Sequence, residues 1–433
     1  MKILDCTLRD GGYYNNWNFS TKLVNEYLNT MSGSGVDTVE LGFRLKKKNC
    51  GDYGFITEKK INNLKLNKKI NYSIMINGKD YINDKEINLK LLNDYFVHKD
   101  RSKVSIIRIA INLSDINAAI KLSKYFYKKG YIVYLNIMQI TSLNLKQLNL
   151  LVKKIKDTEC ISVLYIADSL GDLTKNNLIK IYKVIKKIQK PLGIHAHNNL
   201  NNALGNTIMA YKLGFKYLDS TIMGMGRGAG NTKTEELLFE LQSQKQIKKK
   251  YNSEIIYKLI FDYFDVLYKK YKWGPNLFYY MSAKHQIHPT YIQKMIEDKK
   301  YSEKSIISNI NILKKLVSKK FDIDILNNGI FHIPNLKFEG NWDPKKNFYK
   351  NDILIIGPGK SLNTYKSKIK KFIKNASPTV LCLNYNNILD KKYIDFYVSC
   401  NFGRLMMELN DYIETTKPLI FPRYLISEKN TLL

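Results

Sequence analysis

Three short stretches of this sequence carry side chains able to hold a divalent cation. They are Leu8-Arg9-Asp10-Gly11-Gly12, His195-Ala196-His197-Asn198 and Gly224-Met225-Gly226-Arg227-Gly228-Ala229-Gly230-Asn231. On an extended chain, residues two apart point to the same side, so His195 and His197 present two imidazoles together. Asp10 adds a carboxylate, and the Asn231 carbonyl can supply a fourth ligand. A mixed nitrogen and oxygen set with open positions suits Mn²⁺ or Mg²⁺ first, and also Co²⁺, Fe²⁺ or catalytic Zn²⁺. A lone His-x-His pair is a weak signal, because core and surface histidines are common. Here two of only six histidines form it, and a glycine-rich turn and an early Arg-Asp-Gly accompany it.

These stretches do chemistry together only if the fold brings them together. Eight β-rich runs recur at a spacing of roughly 25–35 residues, the size of one βα unit. They are residues 2–5, 36–41, 72–76, 104–109, 132–137, 163–167, 192–195 and 217–221. Amphipathic patterns such as Leu145-Leu148-Leu151-Val152-Ile155 and Leu178-Ile181-Tyr182-Ile185 lie between them. The pattern predicts an α/β fold, a (β/α)8 TIM barrel over residues 1–250, with an open doubly wound sheet as the alternative. In a closed barrel strands one, seven and eight are neighbours, and their C-terminal ends share the rim where active sites of this fold sit. Residues 251–340 read as a helical extension, with a Lys-rich amphipathic stretch at 306–316. A polar linker follows at Gly340-Asn341-Trp342-Asp343-Pro344. Residues 349–433 read as a small or partial Rossmann-like α/β module, with strands at 353–356, 379–383 and 396–399.

Composition narrows the class. The 433 residues are 44% hydrophobic and 25% charged, which fits a globular chain and excludes wholesale disorder. No apolar run is long enough for a membrane span. The N-terminus meets an acid at Asp5 and has no signal-peptide core. Five scattered cysteines without a C-x-x-C pair fit a reducing cytoplasm. The net charge of +32 would suit a polyanion partner, but only seven of the 70 basic residues are arginine. Nucleic-acid readers lean on arginine. Lysines spread along the whole chain read as solvated helix faces, with no nucleic acid as partner.

The motifs resemble a known family. Asp5-Cys6-Thr7-Leu8-Arg9-Asp10-Gly11, His195-Ala196-His197-Asn198 and Gly224-x-Gly226…Gly230-Asn231, in this order and spacing, are similar to the HMG-CoA lyase-like (DRE-type) TIM-barrel metalloenzymes. The likeness covers about residues 1–300 and is nearest in look to the 4-hydroxy-2-oxovalerate aldolases. It implies a metal held by Asp10, His195, His197 and Asn231, with Arg9 beside an enolate. A 2-oxo acid would chelate the metal, which stabilises the enolate as a Lewis acid. Glu40, at the end of the second strand, can hold Arg9 or a ligand in place. Asp168 ends the sixth strand and either supports the site or caps the next helix. Arg108 and Asn136, near the ends of the fourth and fifth strands, can bind polar groups of substrate or be buried and structural; Gln139 is a weaker candidate.

Departures from the family pattern shape the expectation. The glycine loop has no cysteine, which argues against HMG-CoA lyase itself. Where pyruvate aldolases place a base histidine three residues after the metal aspartate, this chain has Tyr13, then Tyr14. With a reference pKa near ~10, tyrosine is a poor base at neutral pH. Substitutes are His285 and His288, which can equally be surface or capping residues, and Tyr279 or Tyr280 can serve as an acid. The C-terminal run Gly357-Pro358-Gly359-Lys360-Ser361-Leu362, with Leu383-Asn384 and the stretch at 393–399, loosely resembles bacterial sialyltransferase-like Rossmann modules that bind nucleotide sugars. That resemblance implies a setting in surface-polysaccharide biosynthesis. The expectation is a cytoplasmic, metal-dependent aldolase. It would interconvert pyruvate plus an aldehyde with a 4-hydroxy-2-oxo acid, and association of copies is open. The alternatives are a Claisen-type synthase joining an acyl-CoA to a 2-oxo acid, or a silent barrel attached to a nucleotide-sugar-binding or transferase module.

Overall fold

The structure is a computed structural model of the chain. It describes residues 1–46, 49–244, 247–298, 301–315, 319–322, 352–359, 361–400, 404–405 and 408–421, with residues 325, 343 and 348 besides. Most of the linker proposed around Gly340 to Pro344, and Lys360, lie outside the described residues. The chain divides into two compact units, Met1–Gln293 and Lys294–Leu433.

The first unit is built on eight parallel strands: β1 (Lys2–Asp5), β2 (Thr38–Phe43), β3 (Asn71–Asn77), β4 (Ile106–Ile111), β5 (Ile132–Ile137), β6 (Val163–Ala167), β7 (Leu192–His195) and β8 (Tyr217–Ser220). They close into a barrel, β1 pairing with β8 through Lys2↔Tyr217 to Asp5↔Ser220 and with β2 through Leu4↔Thr38. That closure excludes the open sheet. β1, β7 and β8 are neighbours, as the strand spacing required.

Strand parity sorts the side chains. Both faces of a barrel strand are buried, so the strands read as nearly continuous apolar runs. In β4 and β5, Ile107, Ile109, Ile111, Val133, Leu135 and Ile137 point outward and join the large core under the helices. The opposite parity fills the barrel. At its base Ile106, Tyr134, Val163 and Tyr165 form a separate apolar cluster with Tyr217 packed on it. Above that cluster the inward positions turn polar, with Glu40, Arg108, Asn136, His195 and Asp219 all buried. Arg108 sits third in its strand of six, deeper than the strand end expected for it. Its guanidinium lies 4.4 Å over the Tyr165 ring, where apolar plug meets charged layer.

The amphipathic runs form helices as their periodicity dictates. Leu145–Ile155 starts at a capping box between Asn144 and Gln147 and buries Leu148, Leu151 and Ile155. Lys175–Ile185 is capped by Thr174 and buries Leu178, Ile181 and Ile185. After the barrel the first unit continues through helices, including Glu254–Leu259, Asp265–Tyr271 and Leu277–Lys284. The second unit holds a four-stranded parallel sheet in sequential order, β9 (Ile353–Ile356), β10 (Thr379–Leu383), β11 (Phe396–Val398) and β12 (Leu419–Ile420). Its core includes Ile356, Leu362, Val380, Cys382 and Tyr397. Among the described residues no helix is long and apolar enough to cross a membrane.

Gly193 on β7 makes the plug possible, because a Cβ there would stand 2.6 Å from the Tyr165 ring. Gly193→Ala should therefore destabilise the protein by about 2 kcal/mol through overpacking, read as a lower urea midpoint.

Candidate active site

The rim above β1, β7 and β8 gathers the three stretches. After β1 the chain makes one helical turn, Thr7–Asp10, whose Arg9 and Asp10 amides donate to Cys6 O. Asp5 anchors that turn, because its carboxylate accepts from the Thr7 amide and from the hydroxyls of Thr7, Tyr27 and Thr234 at 2.5–2.9 Å. Asp10 is thereby held at the rim. His195 closes β7, and His197 follows it, bridged to Asn231 of the glycine loop. The donor atoms of Asp10, His195 and His197 lie within 4.8 Å of one another, all buried.

The donor set fits a divalent ion. His195 Nε2, His197 Nδ1 and Asn231 Oδ1 are buried without a hydrogen-bond partner. Orphaned polar atoms of this kind are costly unless something binds them. Asn231 Nδ2 donates to Asp10 Oδ2 at 2.5 Å, which orients the carboxylate and leaves the amide oxygen beside it. The loop needs its glycine here, since a Cβ on Gly226 would stand 2.4 Å from Asn231 Nδ2 and 2.8 Å from Asp10 Oδ2.

Protonation states suit ligation. Burial opposes a charge on Asp10, but Arg9, with His195 and His197, holds its carboxyl well below the usual range. Burial, reinforced by His195 and Arg227, keeps the His197 imidazole uncharged. The Asp219 carboxyl is also held down: burial opposes its charge, and Arg108 and His195 outweigh burial. His195 Nδ1 therefore donates to Asp219 Oδ2 at 3.0 Å and Nε2 faces Asp10; burial opposes a charge on this imidazole, but the two carboxylates outweigh burial and pull it up.

Behind the donors the charges close a ring. Arg9 donates from Nη1 to Asp10 Oδ1 at 2.6 Å and from Nε to Glu40 Oε2 at 2.7 Å. Arg108 donates to the same Glu40 oxygen at 3.1 Å and to Asp219 Oδ2 at 2.5 Å. Asp219 holds His195, whose Nε2 is 3.5 Å from Asp10 Oδ2. Glu40, expected to hold Arg9 or a ligand, thus holds Arg9 and Arg108, and Arg108, weighed as a substrate contact or a buried structural residue, is spent on Glu40 and Asp219. Asp219 was not singled out, though a carboxylate inside an otherwise apolar strand is a readable sign. Cys6, His195 and Asp219 form a second compact group, but Asp219 is already committed and burial pushes the Cys6 thiol well up.

The remaining candidates fall around this centre. The Asn136 side chain is buried inside the barrel with Oδ1 unpartnered. Asp168 Oδ1 accepts the Leu173 amide at 3.1 Å and so holds the loop after β6. Burial, with Asp172, pushes its carboxyl well up. Gln139 caps the turn after β5, its amide donating to Ser169 Oγ. The Tyr13 ring packs edge-on against Trp17 and Phe43, with the Arg227 guanidinium 5.7 Å from its centre. Burial pushes its phenol up, the wrong direction for a base. Tyr14 OH donates to Gly228 O at 2.6 Å and lies 3.2 Å from Tyr279 OH. His288 Nε2 is 3.3 Å from Arg227 Nη1, and burial, with Arg227 and His197, keeps this imidazole uncharged. His285 caps the C-terminal end of the helix Leu277–Lys284. Arg227 itself was missed in the sequence, where it reads as part of a glycine loop.

The sequence profile of the HMGL-like family matches residues 1–260. The chain belongs to the HMGL-like family. It is 28% identical over 252 residues to a 4-hydroxy-2-oxovalerate aldolase of Carboxydothermus hydrogenoformans, covering 55% of this chain and 69% of that one. It is 25% identical over 268 residues to a homocitrate synthase of Pyrococcus abyssi, covering 59% of this chain and 69% of that one. A solved structure, the N-terminal domain of a candidate aldolase from Bacteroides vulgatus, superposes with a TM-score of 0.61 at 33% identity, over 71% of this chain and 99% of the domain. As an HMGL-like protein, the chain is an enzyme of the metal-dependent lyase, aldolase or synthase type.

The ring predicts two separable effects. Asp219→Asn should weaken Mn²⁺ binding by about 10–100-fold, measured by metal titration. Glu40→Gln should lower unfolding stability by about 3 kcal/mol, because two buried guanidinium groups lose their shared partner; denaturant melts check it.

Proposed function

We propose that this chain is an aldolase that interconverts pyruvate plus an aldehyde with a 4-hydroxy-2-oxo acid. One observation carries the reading: a fixed cation, Arg9, stands beside a donor set with three orphaned atoms. Arg9 Nε and Nη1 are engaged by Glu40 and Asp10, and Nη2 is left for an incoming oxygen. Asp10, His195, His197 and Asn231 hold the metal, with Mn²⁺ or Mg²⁺ the proposed ions. A divalent ion there supplies Lewis acidity toward the carboxylate and carbonyl of a 2-oxo acid.

In the condensing direction, the uncharged His288 imidazole takes a proton from pyruvate C3, and that carbon attacks the aldehyde carbon. A C–C bond forms, and the aldehyde oxygen takes up a proton; cleavage runs the same steps backward. Arg9 donates to the pyruvate carbonyl oxygen as negative charge grows there. His288 exchanges the proton with the aldehyde oxygen. Support comes from its uncharged imidazole beside Arg227 and within the field of His197. Tyr13 lends a ring face to the wall and no base. Tyr279, reached through Tyr14, is a positioning residue. We place the enzyme in the cytoplasm, in keeping with five free cysteines. A setting in surface-polysaccharide biosynthesis, with a nucleotide sugar at the C-terminal module, rests on the resemblance of that segment alone.

Proton NMR of pyruvate in D₂O tests the reading. The methyl signal should fade with Mn²⁺ or Mg²⁺ present and persist with EDTA. Arg9→Met should slow exchange by about 10²–10³-fold. His288→Asn should slow aldol cleavage by about 10²-fold or more. A metal-loaded protein that leaves the methyl signal intact would overturn the pyruvate assignment, and product formed only with an acyl-CoA would replace it with the Claisen reaction.

A further inference from the structure

Arginines buried in this barrel are neutralised by carboxylates, with one exception. Arg9 faces Asp10 and Glu40, Arg108 faces Glu40 and Asp219, and Arg44 faces Glu58. Arg227 is half-buried and has no carboxylate partner among the described residues. Its Nη2 donates to Ser169 O at 3.1 Å, its Nη1 approaches His288 Nε2 at 3.3 Å, and both acceptors are neutral. Its Nε is buried without any partner. The nearest extra carboxyls of the β6 loop do not serve it. Asp168 Oδ1 accepts the Leu173 amide at 3.1 Å, and Asp172 accepts from Thr141 Oγ1 at 2.6 Å and Gln286 Nε2 at 2.9 Å.

The position of this charge is informative. Arg227 follows Gly226, the residue packed against Asp10 and Asn231. Its field reaches His197, His288 and Tyr13. It therefore stands beside the proposed metal donors and outside the hydrogen-bonded ring of Arg9, Glu40, Arg108 and Asp219, its own contacts being Ser169 O, His288 and the Tyr13 ring. Two arginines against Asp10, Glu40 and Asp219 leave that ring with one net negative charge. A divalent cation and one 2-oxo acid carboxylate then bring the centre to neutrality. The Arg227 charge stays uncompensated, and an unpaired guanidinium beside a cation is unfavourable until an anion meets it.

We propose that the second substrate is an anionic aldehyde, carrying a carboxylate or a phosphate, and that Arg227 binds that group. This rests on the aldolase reading above and assigns its partner class. The guanidinium fork suits both anions, and its contacts to Ser169 O and His288 are weak enough to be exchanged for a charged acceptor. The C–C bond forms between pyruvate C3 and the aldehyde carbon as before. The anionic group takes no part in bond making and serves orientation alone.

Two measurements on the full chain test it. The first needs no metal: ligand-observed NMR on EDTA-treated protein compares glycerol 3-phosphate with glycerol, and butanoate with butan-1-ol. One anion should bind at least about tenfold more tightly than its neutral partner, with the preference abolished in Arg227→Met and partly kept in Arg227→Lys. The second compares kcat/KM for pyruvate condensation with glyceraldehyde 3-phosphate against glyceraldehyde, and with succinic semialdehyde against butanal. The anionic member of one pair should lead by about 100-fold in the wild type and by under about tenfold in Arg227→Met, through the aldehyde KM. Because each ratio is taken within one variant, partial unfolding cancels. The pair that discriminates tells phosphate from carboxylate. Equal rates within both pairs, or a ratio unchanged in Arg227→Met, overturns the proposal. Methyl exchange of pyruvate without aldehyde discrimination sinks this inference alone; absence of exchange sinks the aldolase reading and this inference with it.

Discussion

The closed circuit of charge inside the barrel is the constraint on which the rest depends. Asp10, Arg9, Glu40, Arg108, Asp219 and His195 join head to tail, each contact 2.5–3.5 Å long. Ions this deep are expensive to desolvate, and they persist only when every one has opposite partners. The circuit supplies those partners from five places at once: the β1 turn, β2, β4, β7 and β8. It therefore fixes the rim at the height of the metal donors. An ion pair between two strands would not achieve this, because either strand could shift and take its partner along.

Two apolar surroundings keep the circuit dry. Below it, the plug of Ile106, Tyr134, Val163 and Tyr165 closes the barrel floor. Outside it, the strand residues of opposite parity seal against the helices. In such surroundings a guanidinium acts at nearly full strength, which is why Arg9 can hold Asp10 ionised against the pull of burial. The same surroundings keep His197 uncharged, as a metal ligand must be. Fold stability and ligand readiness thus have one physical origin.

The net charge of the chain plays no part in this. Among the described residues none of the lysines that produce +32 is buried, whereas the site is built from arginines with defined hydrogen-bond forks. Position, not number, gives a charge its function here. Arg9 and Arg227 both stand beside one donor set, the first neutralised by protein carboxylates and the second without one among the described residues. That asymmetry distinguishes a residue that shapes a site from one that awaits a ligand.

The sequence alone determined the barrel and its rim. Strand periodicity located all eight strands to within about two residues, because each strand is buried on both faces and reads as a short β-branched run bounded by polar turns. It also singled out Asp10, His195, His197 and Asn231 through three local patterns, the Arg-Asp-Gly turn, the His-x-His pair and the glycine loop, which the rim brings together. Tertiary structure decided what each remaining polar residue does. Arg108 reads equally as a substrate contact or a structural residue in one dimension, and only the closed barrel reveals that it meets Glu40 and Asp219 inside. Asp219 and Arg227 gain their roles from neighbours distant in sequence, Arg108 for the first and Ser169 and His288 for the second. Tyr13 occupies a base position in the pattern, yet packing against Trp17 and Phe43 raises its phenol and removes it from that role. Local pattern reports burial and extension, whereas charge compensation is a property of three-dimensional neighbours.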